Sequence, residues 1–253
     1  MPQARFRFYA ELNDFLPAER RQKEFSCEFR GRQSVKHLIE SLGVPHTEVD
    51  LVLINGEPCG FSRIVQDGDR VSVYPVFEAL DVKPVSRVRS KPLRRTRFVA
   101  DAHLGRLASY LRMLGFDTLY RNDFTDPELT ALSVSERRIL LTRDRDLLKH
   151  KSITHGYFVR ETAPRRQLLE VLRRFDLSGA AAPFTRCLRC NGPLARISRR
   201  RAAPEVPERS RRHASRFFRC KSCNQLYWDG SHYRRMVSFV ERLLAELGAA
   251  GAE

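Results

Sequence analysis

No stretch of this 253-residue chain approaches the roughly 18 consecutive apolar residues that a membrane-spanning helix requires, so the sequence gives no sign of a membrane span. The first ten residues, MPQARFRFYA, interleave charge with aromatic rings and lack the apolar core of a secretory signal. No glycine-rich loop follows the strand predicted at 98–100, there is no P-loop, and no Ser/His/Asp arrangement is legible. These absences argue against dinucleotide binding, P-loop phosphate binding and triad hydrolysis. Acid is also in short supply. Thirty Asp and Glu face 46 Lys and Arg, a formal net charge of +16. With 42% hydrophobic residues the chain is too apolar for a disordered polymer, and its length fits two or three compact units of about 100–200 residues at most. The expectation is a soluble, cytoplasmic protein.

The basic excess is concentrated. Residues 83–97 carry Lys83, Arg87, Arg89, Lys91, Arg94, Arg95 and Arg97 without one acid, and the arginine-rich run 196–219 is interrupted only by Glu205 and Glu208. Clustered guanidinium groups attract polyanions and grip phosphate in two places, which makes RNA or DNA the expected partner.

Hydrophobic periodicity divides the chain. Phe6 and Phe8 alternate with Arg5 and Arg7, and Phe25, Cys27 and Phe29 alternate likewise, as half-buried strands do. Val35, Leu38, Ile39 and Leu42 form a helical stripe ending at Gly43, Leu51–Ile54 runs into the turn dipeptide Asn55-Gly56, and Val71 and Val73 follow Asp67-Gly68-Asp69. This order predicts a β-grasp domain over residues 1–82, followed by a basic linker at 83–96.

From 97 to 182 the pattern becomes strand–helix–strand: strands at 98–100, 118–120, 139–142 and 157–159, and helices after His103, from Asp126 and over 164–175. Short loops between such elements predict a three-layer α/β domain built on a parallel sheet. Residues 183–236 contain two CxxC pairs, and 237–253 read as a C-terminal helix and tail.

Three acidic sites fall at related places in the α/β pattern. Asp101 follows the first strand, Asp144 follows the third with Asp146 two residues on, and Asp126 stands where a helix cap is expected, before Pro127. Strands of a parallel sheet share one carboxyl edge, where ligands bind. Taken singly, each aspartate is accounted for as a cap or turn residue. Taken together they are expected to form a site for Mg²⁺ or Mn²⁺, because clustered carboxylates need a cation to offset their repulsion. Arg143, Arg145 and Lys149 flank Asp144 and Asp146 and would position a phosphate, an ensemble suited to phosphodiester hydrolysis.

Cys187, Cys190, Cys220 and Cys223 form two knuckles that together supply the four thiolates of a structural zinc site. The alternative, a pair of redox CxxC motifs, lacks the thioredoxin-like context it needs. The long stretch between the pairs is expected to be a flexible loop. Aromatic residues after the second pair, Tyr227, Trp228 and Tyr233, either stack on bases or form the small core of the ribbon.

The stretches FVADAHLGRLA (98–108), LRMLGFD (111–117), LLTRDRDLL (140–148) and PFTRCLRCNGPL (183–194) resemble the PIN-like RNase family named for the C-terminal region of the mut-seven exonuclease. The resemblance implies a metal-dependent RNase domain with a zinc ribbon, acting on RNA through Asp101, Asp126 and Asp144 as metal ligands, with Asp146 as a further candidate. A fuller PIN domain carries another acid, often Glu, between the first and third of these; between Asp101 and Asp126 this chain offers only Asp117 and Asp123, neither of them placed on a helix. VLINGEP (52–58) and DGDRVSVYPVF (67–77) resemble the ubiquitin-like domain that precedes such RNase domains, a fold shared with sulfur carriers. The chain runs on where those carriers end in Gly-Gly, so sulfur transfer is not expected. Docking of a protein partner by this domain is the alternative role, in an RNA-binding adaptor with a weak or inactive site.

Overall fold

The computed structural model describes residues 1–75, 87–88 and 96–250, with no side-chain description at 249–250. Of the basic linker, Lys83, Arg89, Lys91, Arg94 and Arg95 lie outside the described residues, as does the 251–253 tail. The chain is a mixed α/β protein forming two compact units, Met1–Arg95 with Thr125–Phe158, and Thr96–Phe124 with Val159–Glu253.

In chain order, the N-terminal segment comprises β1 (Gln3–Phe8), β2 (Phe25–Glu28), α1 (Val35–Ser41), β3 (Leu51–Ile54), β4 (Glu57–Pro58) and β5 (Arg70–Tyr74). They form a five-stranded sheet of order β2-β1-β5-β3-β4, in which β1 runs parallel to β5 and the other pairings are antiparallel. The alternation read from the sequence sets the sides. Ala4, Phe6 and Phe8 face a core completed by Val35, Ile39, Val52 and Val71, while Arg5 and Arg7 face outward. Ser34 caps α1 by accepting the His37 N–H at 3.2 Å. Asn55 and Gly56, both at positive φ, make the tight β3–β4 turn.

The C-terminal region carries parallel sheet. In one unit β6 (Arg97–Ala100), the short helix Ala102–Leu104, α2 (Gly105–Met113) and β7 (Asp117–Tyr120) follow one another, and β6 pairs parallel with β7. Leu104, Leu107, Ala108, Leu111 and Leu114 are fully buried, as their spacing requires. Gly115 ends α2 at φ +91°, where an added Cβ would lie 2.2 Å from the Ala182 carbonyl oxygen, so no other residue fits without displacing the backbone. In the other unit α3 (Asp126–Ser135), β8 (Ile139–Thr142), α4 (Arg145–Leu148) and β9 (Gly156–Phe158) follow, and β8 pairs parallel with β9.

The chain continues through α5 (Pro164–Arg174), β10 (Leu194–Ile197), α6 (Arg199–Ala202), α7 (Glu208–His213), β11 (Phe217–Cys220), β12 (Leu226–Trp228) and α8 (Ser231–Ala250). Strands β10, β11 and β12 form an antiparallel three-stranded ribbon. The stretch expected to be a flexible loop is instead α6 and α7, because Ala202, Val206 and Ala214 bury themselves with Phe217 and Leu226 in a small core. Helix α8 begins six residues before the expected Val237, and its Phe239 ring packs at 5.0 Å from Tyr110 of α2. No helix among the described residues is long and apolar enough to cross a membrane.

Candidate active site and zinc ribbon

Asp101 and Asp144 share one local construction. Asp101 directly follows β6, is 6% exposed, and caps the next helical turn: its Oδ1 accepts the His103 N–H at 2.8 Å and lies 3.0 Å from His103 Nδ1. Asp144 stands two residues after β8 and caps α4, its Oδ1 accepting the N–H groups of Asp146 at 2.7 Å and Leu147 at 3.3 Å. The Thr142 hydroxyl tightens that turn by accepting the Asp144 N–H at 2.9 Å. A helix start favours a carboxylate, because its unpaired N–H groups point at the side chain.

The cap of α3 differs from the expectation. Thr125 takes it, with a capping box to Glu128, and Asp126 is the first helical residue, exposed beside Pro127. The box wins because Thr125 and Glu128 satisfy two backbone donors reciprocally, which Asp126 alone does not do. Asp146 is exposed and pairs with Lys149 at 3.0 Å. Asp117 and Asp123 are both engaged, Asp117 with the ribbon as described below and Asp123 in an ion pair with exposed Arg121 at 2.8 Å.

Of the expected phosphate-positioning cations, Arg143 is half-buried and Lys149 is held by Asp146, while Arg145 turns to the ubiquitin-like segment of its own unit. The Arg145 guanidinium lies 5.1 Å above the Phe15 ring and 5.4 Å above that of Phe158, and donates to the carbonyl oxygens of Asp14 and Phe15 at 3.4 Å. Two buried side chains extend this seam. Glu48 accepts the Phe158 N–H at 2.7 Å, and His46 bridges the Glu40 carboxylate and the Ile153 carbonyl oxygen, at 2.6 and 2.8 Å. The N-terminal sheet domain is thus built onto the α4–β9 segment by hydrogen bonds its sequence did not announce.

The described residues hold one group of three or more His, Cys, Asp or Glu ligand atoms converging within 4.8 Å: Cys187, Cys190, Cys220 and Cys223. Sulfur separations of 3.7 Å (Cys187–Cys223) and 3.4 Å (Cys190–Cys220) are close to the ~3.8 Å edge of a tetrahedron with ~2.3 Å zinc–sulfur bonds, so the quartet can hold a zinc ion. Burial works against a Cys220 thiolate, but the N–H groups of Cys223 and Ser222 and the neighbouring thiols bring its pKa down to about 7. Burial, with the crowd of other thiols, pushes Cys190 up to about 12. Four thiols this close cannot all ionise without a cation among them. Tyr227, read as either base-stacking or core, braces this site: its hydroxyl lies 3.1 Å from Cys187 Sγ and accepts the Leu188 N–H at 3.2 Å.

Residues that the sequence reading missed lock this ribbon onto β7 and α2. Asn191, immediately after the first cysteine pair, accepts the buried Thr118 N–H on Oδ1 at 3.0 Å and donates through Nδ2 to Asp117 Oδ1 at 2.7 Å. Arg186 donates to the other Asp117 oxygen at 3.2 Å and to the Gly115 carbonyl oxygen at 3.1 Å. Arg112, buried on α2, reaches the carbonyl oxygens of Leu188 and Arg189 at 3.0 and 3.1 Å, and burial lowers its pKa despite the nearby Cys190, Cys187 and Asp117. The available signal was an Arg set among the leucines of an apolar helix face, where a solvated cation has no place.

Comparison with known proteins fits these two halves. A family model described as Mut7-C ubiquitin matches residues 1–81, and one described as Mut7-C RNAse domain matches residues 96–240. The comparisons with curated proteins and with solved structures gave no match. Since the second model spans more than half of the chain and covers β6 through the ribbon, the chain belongs to the Mut7-C RNAse domain family.

Proposed function

We propose that this protein is a metal-dependent ribonuclease of the cytoplasm that hydrolyses RNA phosphodiester bonds, with Asp101, Asp126, Asp144 and Asp146 as its acidic set. Its domains are taken as residues 1–82, 97–182 and 183–236. The family's RNase character supports the reaction class. The observation that carries the residue assignment is the repeated construction strand, aspartate, helix start, at Asp101 after β6 and at Asp144 after β8. Backbone donors hold each carboxylate in place before any substrate arrives, the His103 N–H for Asp101 and the Asp146 and Leu147 N–H groups for Asp144, the preorganisation that catalysis by charge requires. Carboxylate oxygens are the donors that Mg²⁺ and Mn²⁺ prefer, and such an ion would supply neutralisation of charge on the phosphate oxygens. Arg143, Arg145 and Lys149, which flank Asp144 and Asp146 in the chain, would orient the RNA strand, Arg145 once released from the rings of Phe15 and Phe158 and Lys149 once released from Asp146.

Asp101→Asn and Asp144→Asn test this cleanly, because Asn keeps the capping oxygen and removes the charge. Labelled RNA is incubated with each protein in Mg²⁺ or Mn²⁺. The expected result is a loss of at least about a hundredfold in cleavage rate, roughly 2.7 kcal/mol of transition-state stabilisation, with unchanged thermal unfolding. Cleavage at the wild-type rate by both variants refutes the assignment.

A further inference from the structure

The stretch between the two cysteine pairs is strongly basic. Residues 196–221 contain ten Arg and Lys against Glu205 and Glu208, so half of the chain's formal net charge of +16 falls on 26 residues. A charge run of this kind ordinarily stays extended, because its members then separate and repel less. Here it is folded. Ser198 caps α6, and Ala202, Val206 and Ala214 bury themselves against Phe217 and Leu226. Arginines even supply the internal ties: Arg199 donates to the Arg211 carbonyl oxygen at 2.7 Å and Arg211 to that of Ala203 at 3.1 Å.

Both acids of the stretch are consumed locally, Glu205 by Arg219 and Glu208 by Arg212, each at 2.6 Å. Arg196, Arg200, Arg201 and Arg209 are exposed and have no ion-pair partner among the described residues. The fold therefore uses caps and an apolar core to hold uncompensated cations together, an arrangement that a polyanion relieves as the arginines take the place of its released counterions. The aromatic residues of the stretch do not face solvent as stacking platforms, for Phe217 is buried and Phe218 half-buried. Phosphates, and not base faces, are what this surface can grip.

We infer that the α6–α7 insertion of the ribbon is a binding surface for the RNA phosphate backbone, indifferent to sequence, with Arg200, Arg201 and Arg209 among its contacts. The inference rests on the reading of RNA as substrate but is separable from catalysis, since it concerns binding alone.

The test uses the full-length, zinc-loaded protein and fluorescein-labelled single-stranded RNAs of two unrelated sequences, followed by anisotropy without added Mg²⁺ or Mn²⁺ between 50 and 300 mM KCl. The triple variant Arg200→Gln, Arg201→Gln, Arg209→Gln is compared with a control removing the same charge elsewhere, Lys23→Gln, Arg30→Gln, Arg32→Gln, whose side chains are also exposed. The expected result is a fall of about 2 in the slope of log affinity against log salt for the triple variant, at about 0.7 per phosphate contact, and at least tenfold weaker binding of both RNAs at 150 mM KCl, with the control near wild type. Equal loss in the control, or none in the triple variant, overturns the inference. So does binding of poly-glutamate that the triple variant loses while RNA binding stays unchanged, which would make the surface an acidic-protein site. RNA binding that depends on these arginines in a protein inert toward RNA with either metal ion would sink the nuclease reading and leave the inference standing.

Discussion

Asn191 offers the sharpest measurement of how the ribbon is fastened to the α/β fold. Its side chain is 6% exposed, its backbone sits at φ +68°, and it serves two partners, the Thr118 N–H and the Asp117 carboxylate. Asn191→Ala removes the acceptor of a fully buried N–H, which costs about 1–3 kcal/mol. It also forces an alanine into the left-handed region, for a further ~1–2 kcal/mol. The expected total is a destabilisation of about 2–5 kcal/mol. Asn191→Gly loses the same hydrogen bonds without the backbone strain, so it should be the milder by ~1 kcal/mol. Asn191→Asp keeps the acceptor but sets a second carboxylate where Nδ2 stood, 2.7 Å from Asp117 Oδ1; its destabilisation at pH 7 should shrink on acidification, when the pair shares a proton. Urea unfolding of the zinc-loaded protein, read by the fluorescence of the single tryptophan, Trp228 on β12, reports on the ribbon directly. Alanine and glycine variants both within ~0.5 kcal/mol of wild type, the range of an ordinary surface substitution, would refute the fastening.

Three other outcomes follow from the same geometry. Glu48→Ala leaves the Phe158 N–H without its buried acceptor, so the Phe158 amide should exchange faster with solvent and stability drop by about 1–3 kcal/mol, whereas Glu48→Gln, which keeps an acceptor, should protect it; indistinguishable exchange in the two variants would refute the role. Asp229 is held down to about 2, burial being outweighed by donors from Ser215 and Arg216, so its stabilisation is complete above pH ~4 and is lost as pH falls through ~2; Asp229→Asn should remove about 1–2 kcal/mol of that pH dependence, after allowance for solvent screening, in acid-unfolding curves. Zinc uptake must displace thiol protons, Cys190 holding its own up to about 12 and Cys220 titrating near 7, so zinc affinity measured by competition with a chromophoric chelator should weaken steeply below pH ~7, and Cys187→Ser should release zinc at chelator concentrations the wild type withstands.

The elements that were legible in the sequence are those whose signal is local. The alternation around Phe6 and Phe8, the 3- and 4-residue spacing of Leu104 through Leu114, and the Asn55-Gly56 turn each report a period or a backbone requirement that neighbouring residues determine. The cysteine quartet was legible for a related reason: each knuckle is complete in four residues, and tetrahedral chemistry needs only that two knuckles meet. Local signals also misled where two competed. At Thr125-Asp126-Pro127-Glu128 the aspartate before proline looked like the cap, while the reciprocal Thr125–Glu128 bonds decided otherwise. In the ribbon insertion, Pro204, Pro207 and the arginines masked three small apolar residues, Ala202, Val206 and Ala214, that need little more than a methyl group each to fold the segment.

What the sequence withheld are polar bonds between distant positions. Arg145 looked like a phosphate ligand because it flanks Asp144 and Asp146, yet its guanidinium is taken by Phe15, some 130 residues earlier, and by Phe158. Asp117, one of the two acids on offer between Asp101 and Asp126, has both its oxygens committed to Asn191 and Arg186. The two cases share a logic. A charged side chain next to a site is read as serving that site, but a cation–ring stack or a two-oxygen clamp elsewhere in the fold competes for it, and pairing within the protein is available before any substrate binds. The consequence is specific: α4, which Asp144 caps, is held at its first residue, Arg145, by the ubiquitin-like segment, so that segment's sheet and the Asp144 carboxylate are parts of one folded unit. On the proposed reading, in which Asp144 is one of the acids, the N-terminal domain bears on the site itself, because loosening Glu48, His46 or Arg145 loosens the strand and the helix beside that carboxylate.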